Sequence, residues 1–259
     1  VTKPGLPVEV GRPAINPVPL QMIVCEVEKV LHEHFSSVPP GSLKAAVTIP
    51  RGEELASHTL NDRLGIQGGL SILGTTGIVY PVSHGAWRDA LSCALNVALA
   101  CGCREIVLST GRVSEKTVQS VLELPSEAYL LIGDHVGFAL QECARKGVKK
   151  ITLVGQLGKL TKVAAGHSST HYWEVEMDWG WFGTWAESQG ISGAVEKLQK
   201  VNTGRVLAEI VLQEGWEELF PLLCRYVRKQ CLTLIENQAE VSVLLVGYRE
   251  EIWAWARSS

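Results

Sequence analysis

No run of this 259-residue chain reaches membrane-spanning length without a charge, a glycine or a proline, so no transmembrane segment is expected. Neither sign of charge is in excess: 24 lysines and arginines face 27 aspartates and glutamates, a net charge of −3. That balance gives no reason to expect nucleic acid or an anionic membrane as a partner. The chain opens Val1-Thr-Lys-Pro-Gly-Leu, with neither an initiator Met nor the apolar segment of a secretion signal. It reads as starting partway into a domain. Chemical signatures are missing too: there is no complete Gly-x-Gly-x-x-Gly, Walker loop, His-Glu-x-x-His or legible Ser-His-Asp arrangement.

The cysteines number seven, an odd count, and most fall in apolar helical patterns, which predicts reduced, buried thiols in a cytoplasmic protein. Cys101-Gly-Cys103 has one intervening residue and no second pair, so no protein metal site is expected. A hydrophobic content of 46 % with 20 % charge is that of an ordinary globular chain, long enough for one large domain or two smaller ones.

What the chain does have is glycine in one place. The run Asn61–Gly77 sets Gly65, Gly68, Gly69, Gly74 and Gly77 among Leu64, Ile66, Leu70, Ile72 and Leu73. Glycine is entropically costly to order, and the interleaved aliphatics are unlike a flexible linker. Two readings stand: a shaped loop beside a ligand, or tight turns between short buried strands. If the loop is tight, a Cβ added at Gly69 or Gly74 clashes. Arg51, Glu53, Glu54, Asp62 and Arg63 flank it, either as solvated charge or to orient a polar ligand.

Upstream, Pro17 after Asn16 predicts a helix to about Phe35 with Ile23, Val27, Val30 and Leu31 on one face. Residues 44–50 read as a short strand and 52–57 as a short helix. A helix follows from about His84, stopped by Gly102. Strands and helices then alternate: strands at 105–109, 128–132 and 150–154, helices at 114–122, 135–146 and 158–165. Further helices are expected at 184–200 and 204–235, with a final strand at about 241–247. This pattern predicts an α/β fold, with a Rossmann-like parallel-sheet domain over 84–259 preceded by an incomplete α+β domain over 1–83. A cleft between the two is expected.

In such sheets ligands lie beyond the carboxyl ends of the strands. Ser109-Thr-Gly-Arg112, Gly133-Asp-His-Val-Gly137 and Gly155-Gln-Leu-Gly-Lys159 occupy those places, and helix starts there favour anions. Gly155, Gly158 and Lys159 are candidate site residues, with Lys162 nearby on the same helix. His167 and His171, around Thr170, share a face if helical, or contact a ligand from a loop. Trp179, Trp181 and Trp185 either stack on a flat ligand or fill a core.

Taken together, certain segments resemble one family. They are Thr2-Lys-Pro-Gly-Leu, Ala14-Ile-Asn-Pro17, Pro50-Arg-Gly-Glu-Glu54, Thr59–Gly65, Gly68-Gly-Leu-Ser-Ile-Leu-Gly-Thr-Thr-Gly-Ile-Val79 and, downstream, Gly158-Lys-Leu160, Lys162–Gly166 and Thr170-His171. Their order resembles CbiD, the cobalt-precorrin-5B (C1)-methyltransferases of anaerobic cobalamin biosynthesis. The resemblance implies methyl transfer from S-adenosylmethionine to carbon 1 of cobalt-precorrin-5B, giving cobalt-precorrin-6A. Cobalt then arrives only within the corrinoid substrate. It implies Arg63, Gly68, Gly69, Gly74, Thr75, Thr76, Gly77, Gly155, Gly158, Lys159, His167, Thr170 and His171 as substrate- or donor-binding residues, without a general base. A homo-oligomer is compatible. The family carries more chain upstream, with a Gly-Tyr-Thr-Thr-Gly-type segment. After Thr-His it continues with a Ser-x-x-Ala-Asp-Ala-Arg-like stretch, where this chain has Tyr172–Trp179 and only Glu176 or Asp178 as counterparts. The alternative reading is therefore a degenerate or truncated relative that binds a tetrapyrrole without catalysis.

Overall fold

The computed structural model describes residues 1–35, 43–74, 84–171, 179–199 and 201–258. The chain divides into two compact units, one of Val1–Trp87 with Asn96–Cys101, the other of Arg88–Leu95 with Gly102–Ser259. Among the described residues no helix is long and apolar enough to cross a membrane.

The first unit is built from turns and short helices. α1 (Pro17–His34) starts with proline at its head, where the missing N–H is no loss, and buries no residue completely. Of its expected inner positions, Ile23, Val27 and Leu31 are only half-buried and Val30 is exposed. α2 (Gly52–Ala56) and α3 (Asn61–Leu64) follow. The strand expected at 44–50 is not formed: residues 43–49 carry no ladder. An apolar run becomes a strand only where another chain segment supplies its hydrogen bonds. The β-structure described in this unit is a single bridge, Ile15 to Ile72, whose flanks are tied by Asn16 N–H to the Ile72 carbonyl and Ile72 N–H to the Ala14 carbonyl, both at 2.8 Å.

α4 (His84–Ala100) carries Leu91, Leu95 and Ala98 on its buried stripe. The second unit then alternates: β1 (Glu105–Ser109), α5 (Arg112–Gln119), β2 (Tyr129–Leu131), α6 (Val136–Arg145), β3 (Lys150–Gln156) and α7 (Leu157–Ala164). After α8 (Trp179–Ser188), α9 (Ala194–Leu198), α10 (Gly204–Gln213) and α11 (Leu219–Leu234) come β4 (Glu240–Val246) and β5 (Ile252–Ala256). Ile106, Leu108, Leu153 and Leu244 are fully buried, each stabilising the sheet by roughly 1.5–3 kcal/mol.

The strand order is β2-β1-β3-β4-β5. β1 to β4 are parallel, but β5 runs antiparallel to β4, so the sheet is mixed rather than parallel throughout. The turn after Gly247, with Glu250 at φ 66°, returns the chain along β4. Right-handed crossovers then fix the layers: β1→β2 moves one way along the sheet, and β2→β3 and β3→β4 move the other. α5 consequently covers one face, packing Val118 with Val107, Val154 and Leu244. The other face takes α6, α7 and α11.

Two expected helices are broken by glycine. The 204–235 segment splits at Gly215 (φ 71°) into α10 and α11, and the 184–200 segment splits around Gly190 and Gly193 into α8 and α9. Where α4 meets α6, the Glu142 carboxylate is 9 % exposed and accepts from Ser92 Oγ (2.6 Å) and from Arg145 Nε and Nη2 (2.8 Å each). Lys146 Nζ lies 3.0 Å away and donates to Ser92 Oγ at 2.7 Å. Four cysteines are buried, whereas Cys25 and Cys101 are exposed, which narrows the expectation of buried thiols.

Candidate functional site

The crossovers from β1 and β3 depart in opposite directions, so the carboxyl ends of these neighbours form the switch point of the sheet, the place where open α/β sheets bind ligands. The Thr110 N–H bonds the Val154 carbonyl at 3.0 Å, extending the β1–β3 ladder to its rim. Around that rim sits a polar cluster drawn from three loops. In the first turn of α7, Lys159 Nζ donates to the Thr110 carbonyl at 3.1 Å and lies 2.8 Å from Asp134 Oδ1. The same carboxylate oxygen accepts from Thr170 Oγ1 at 2.7 Å, while the Thr170 N–H bonds the Asp134 carbonyl at 3.0 Å. Lys162, 9 % exposed, donates from Nζ to the Thr170 carbonyl at 3.1 Å.

The electrostatics follow from these contacts. Burial alone would raise the Asp134 carboxyl. Hydrogen bonds from Lys159 and Thr170, with the charges of Lys159 and His171, outweigh it and hold the group below its ordinary range. Burial pushes the Lys162 ammonium down, against the attraction of Asp134.

Of the candidate residues, Lys159 from a strand end and Thr170 and His171 from the loop after α7 therefore gather around Asp134. His167 does not: it lines a separate cavity with Gly137, Val163, Ser168 and Cys231. The two histidines lie on a loop, not on a helix face. That loop also closes the start of α6. Gly137 N–H bonds the Ser168 carbonyl at 2.7 Å, and a Cβ on Gly137 would lie 2.6 Å from that of Ser168. The helix start expected to attract an anion is occupied by the chain's own carbonyl.

Gly155 and Gly158 are in tight packing. A Cβ on Gly158 would lie 2.8 Å from Gly204 Cα, bringing the heads of α7 and α10 together, and one on Gly155 would press on Leu160 and Thr110. Trp181 and Trp185 stack with ring centres 6.1 Å apart and meet Tyr226, an arrangement of core aromatics.

In the first unit the glycine run is held at several points. Thr2 N–H and Oγ1 both donate to the Gly65 carbonyl, at 2.7 and 2.8 Å, and Asn61 Nδ2 donates to the Gly69 carbonyl at 3.1 Å. The carbonyl of Arg63, in α3, accepts from Lys3 Nζ at 3.1 Å. Gly68, Gly69 and Gly74 take φ of 79°, 154° and 119°, but among the described residues a Cβ on Gly68 or Gly74 would meet nothing within 4 Å, and one on Gly69 only the Gly52 carbonyl carbon at 4.0 Å. Among the described residues the expected clash is thus absent, and the positive φ itself favours glycine at these positions. Thr75, Thr76 and Gly77 lie outside the described residues, as do Glu176 and Asp178.

Sequence reasoning passed over Asp134 and Asn61 as anchors. Asp134 stood between Gly133 and His135 as part of a turn, and its partners lie far along the chain. Asn61 opens the glycine run itself and is 7 % exposed, a buried amide whose donor needs an acceptor nearby.

Comparison with known proteins reaches most of the chain. The CbiD family model matches residues 1–81, and that of the CbiD C-terminal domain matches residues 169–257. A Geobacter sulfurreducens protein named cobalt-precorrin-5B C(1)-methyltransferase is 48 % identical over 252 residues, covering 96 % of this chain and 68 % of the relative. The Geobacter metallireducens protein of the same name is 48 % identical over 261 residues, 96 % of this chain and 69 % of its own. That of Geobacillus kaustophilus is 46 % identical over 226 residues, covering 86 % and 60 %. No solved structure matches.

Proposed function

The chain belongs to the CbiD family, and from that premise we propose that it methylates carbon 1 of cobalt-precorrin-5B, giving cobalt-precorrin-6A. The observation that carries this is the 48 % identity over 96 % of the chain to a protein of that name. S-adenosylmethionine is the donor in this reading, supplying an electrophilic methyl on a sulfonium. The ring carbon provides the electron pair of the new C–C bond, and the pair of the broken C–S bond stays on sulfur. Such a step asks the protein for alignment more than for acid or base, and well-oriented reactants gain roughly 7–11 kcal/mol from orientation alone.

We place ligand contacts at the strand-end crevice, through Gly155, Gly158, Lys159, Thr170 and His171. Its two lysines suit a carboxylate-bearing ligand, and its walls are set by a buried sheet. His167, from its own cavity, and Arg63 with the glycine run Gly68–Gly77 are proposed as further contacts. Residues 84–259 are read as a Rossmann-like domain and 1–83 as part of a preceding α+β domain. A cytoplasmic location belongs to the same reading, supported by free thiols at the exposed Cys25 and Cys101.

The test is transfer of labelled methyl from S-adenosylmethionine to cobalt-precorrin-5B, resolved by mass spectrometry of the product. Label at carbon 1 is the expected result. Corrinoid binding without transfer would replace the enzyme by a tetrapyrrole-binding relative, the reading that the Tyr172–Trp179 departure favours.

A further inference from the structure

α1 carries an apolar face that the described residues leave largely uncovered. Leu20, Val24, Val27 and Leu31 recur at four- and three-residue spacing, with Ile23 and Val30 beside them on the same side of the helix. Leu20 is 50 % exposed, Val24 46 % and Val30 54 %, and no residue of the helix is fully buried. An isolated helix of this length is marginal in water, and helices of folded proteins are held mostly by burial of such a face. From Leu20 to Leu31 the stripe is about 18 Å long, and an exposed apolar surface of that kind marks a place of contact.

The rest of the first unit repeats the pattern. Among the described residues of 1–87, Ile66 is the one buried hydrophobic residue, while Val47, Leu55 and Leu73 are exposed. A folded unit is stabilised chiefly by the apolar residues it buries, and here that core is nearly missing. The second unit is the reverse. Its sheet and helices bury their apolar residues, and its exposed large hydrophobics, Val121, Leu212 and Ile252, fall on three separate stretches, as single exposed residues ordinarily do. The relatives have chain to spare for a larger core. The Geobacter sulfurreducens protein matches 96 % of this chain with 68 % of its own, so about a third of its length has no counterpart here.

We propose that the stretch corresponding to that unmatched third covers the apolar stripe of α1 and completes the core of the first unit. The proposal rests on membership of the family and not on the reaction.

Hydrogen exchange followed by mass spectrometry tests it on two intact proteins, the 259-residue chain and the Geobacter sulfurreducens relative. The α1 amides of the chain should exchange about tenfold or more faster than those of the aligned segment in the relative. Equal rates, with the chain monomeric by light scattering, would overturn the proposal. Val24→Asp separates the occupants. In this chain it should leave the melting temperature within about 1 °C, as a substitution at an exposed position does. Aspartate at the aligned position of the relative should lower it by about 3 °C or more, since a charge then enters an apolar contact. An equal fall in the 259-residue chain would set the stripe against the chain's own residues, 36–42 and 75–83 included, and overturn the proposal. So would a dimer of the chain that Val24→Asp returns to monomer, which assigns the stripe to a second copy. None of these measurements needs turnover, so the covering of α1 and the proposed methyl transfer stand or fall separately.

Discussion

Acid should strip stability from the second unit through one carboxylate, Glu142. Bonds from Arg145, then from Ser92 and Lys146, hold its carboxyl at about 2 against an ordinary 4.5. A lowered carboxyl contributes stability that is fully present above the unfolded value and is lost as pH falls through the folded one. The window therefore runs from about pH 4.5 down to about pH 2. At about 1.4 kcal/mol per pH unit the difference is worth on the order of 3 kcal/mol. Arg145 is 67 % exposed, and solvent screens its part, which brings the expectation to about 2 kcal/mol. The assay is urea unfolding followed by tryptophan fluorescence at a series of pH values, for the parent protein and Glu142→Gln. The variant should be the less stable at pH 6, and the gap should close by about 2 kcal/mol on reaching pH 2. Parallel curves for the two proteins between pH 5 and pH 2 would refute the assignment.

Three further outcomes are expected. Gly65→Ala should destabilise the first unit by more than Gly68→Ala. Both have positive φ, worth about 1 kcal/mol, but only at Gly65 would the Cβ also lie 2.7 Å from the Lys3 backbone nitrogen; equal thermal shifts would contradict this. Gly158→Ala should lower stability by about 1–3 kcal/mol by driving α7 from α10, since backbone rather than a pliable side chain stands in the way; an unshifted denaturant midpoint would count against it. Cys25 and Cys101 should react with a maleimide in the folded protein, while Cys143, Cys224 and Cys231 should not until urea opens the core. Burial pushes those three thiols up to about 12, so little reactive thiolate forms near neutrality. Mass spectrometry after timed labelling decides.

The sheet was largely legible in the sequence because its strands are buried on both faces. Ile106–Leu108 and Val241–Val246 are unbroken or nearly unbroken apolar runs set between amphipathic helices, a pattern with one cheap solution. β5 escaped notice although Trp253 and Trp255 alternate with alanine. Two tryptophans serve a core or a partner as readily as a strand, and in the turn that opens at Gly247 the positive φ falls on Glu250 rather than on a glycine. The 44–50 run failed for the opposite reason. Its β-branched residues satisfy a local preference, but a strand also needs a neighbour. At the site, Lys159 was reachable from its place after a strand end, and Thr170 from the polar His167–His171 segment. Asp134 was not singled out, because its partners, Lys159 in α7 and Thr170 in the loop after it, lie far along the chain from it.

The pairing of β3 with β4 also governs how the chain can be made. Lys150 faces Glu240 across that ladder, and the whole of α8–α11 is synthesised between them. Until residue 246 has left the ribosome, β3 presents an unpaired apolar edge, Ile151 to Val154, ready to recruit strands from other molecules. Folding during synthesis thus pauses at a half-built sheet. Slower translation across residues 165–240 should lengthen that exposure and raise the yield of aggregated protein.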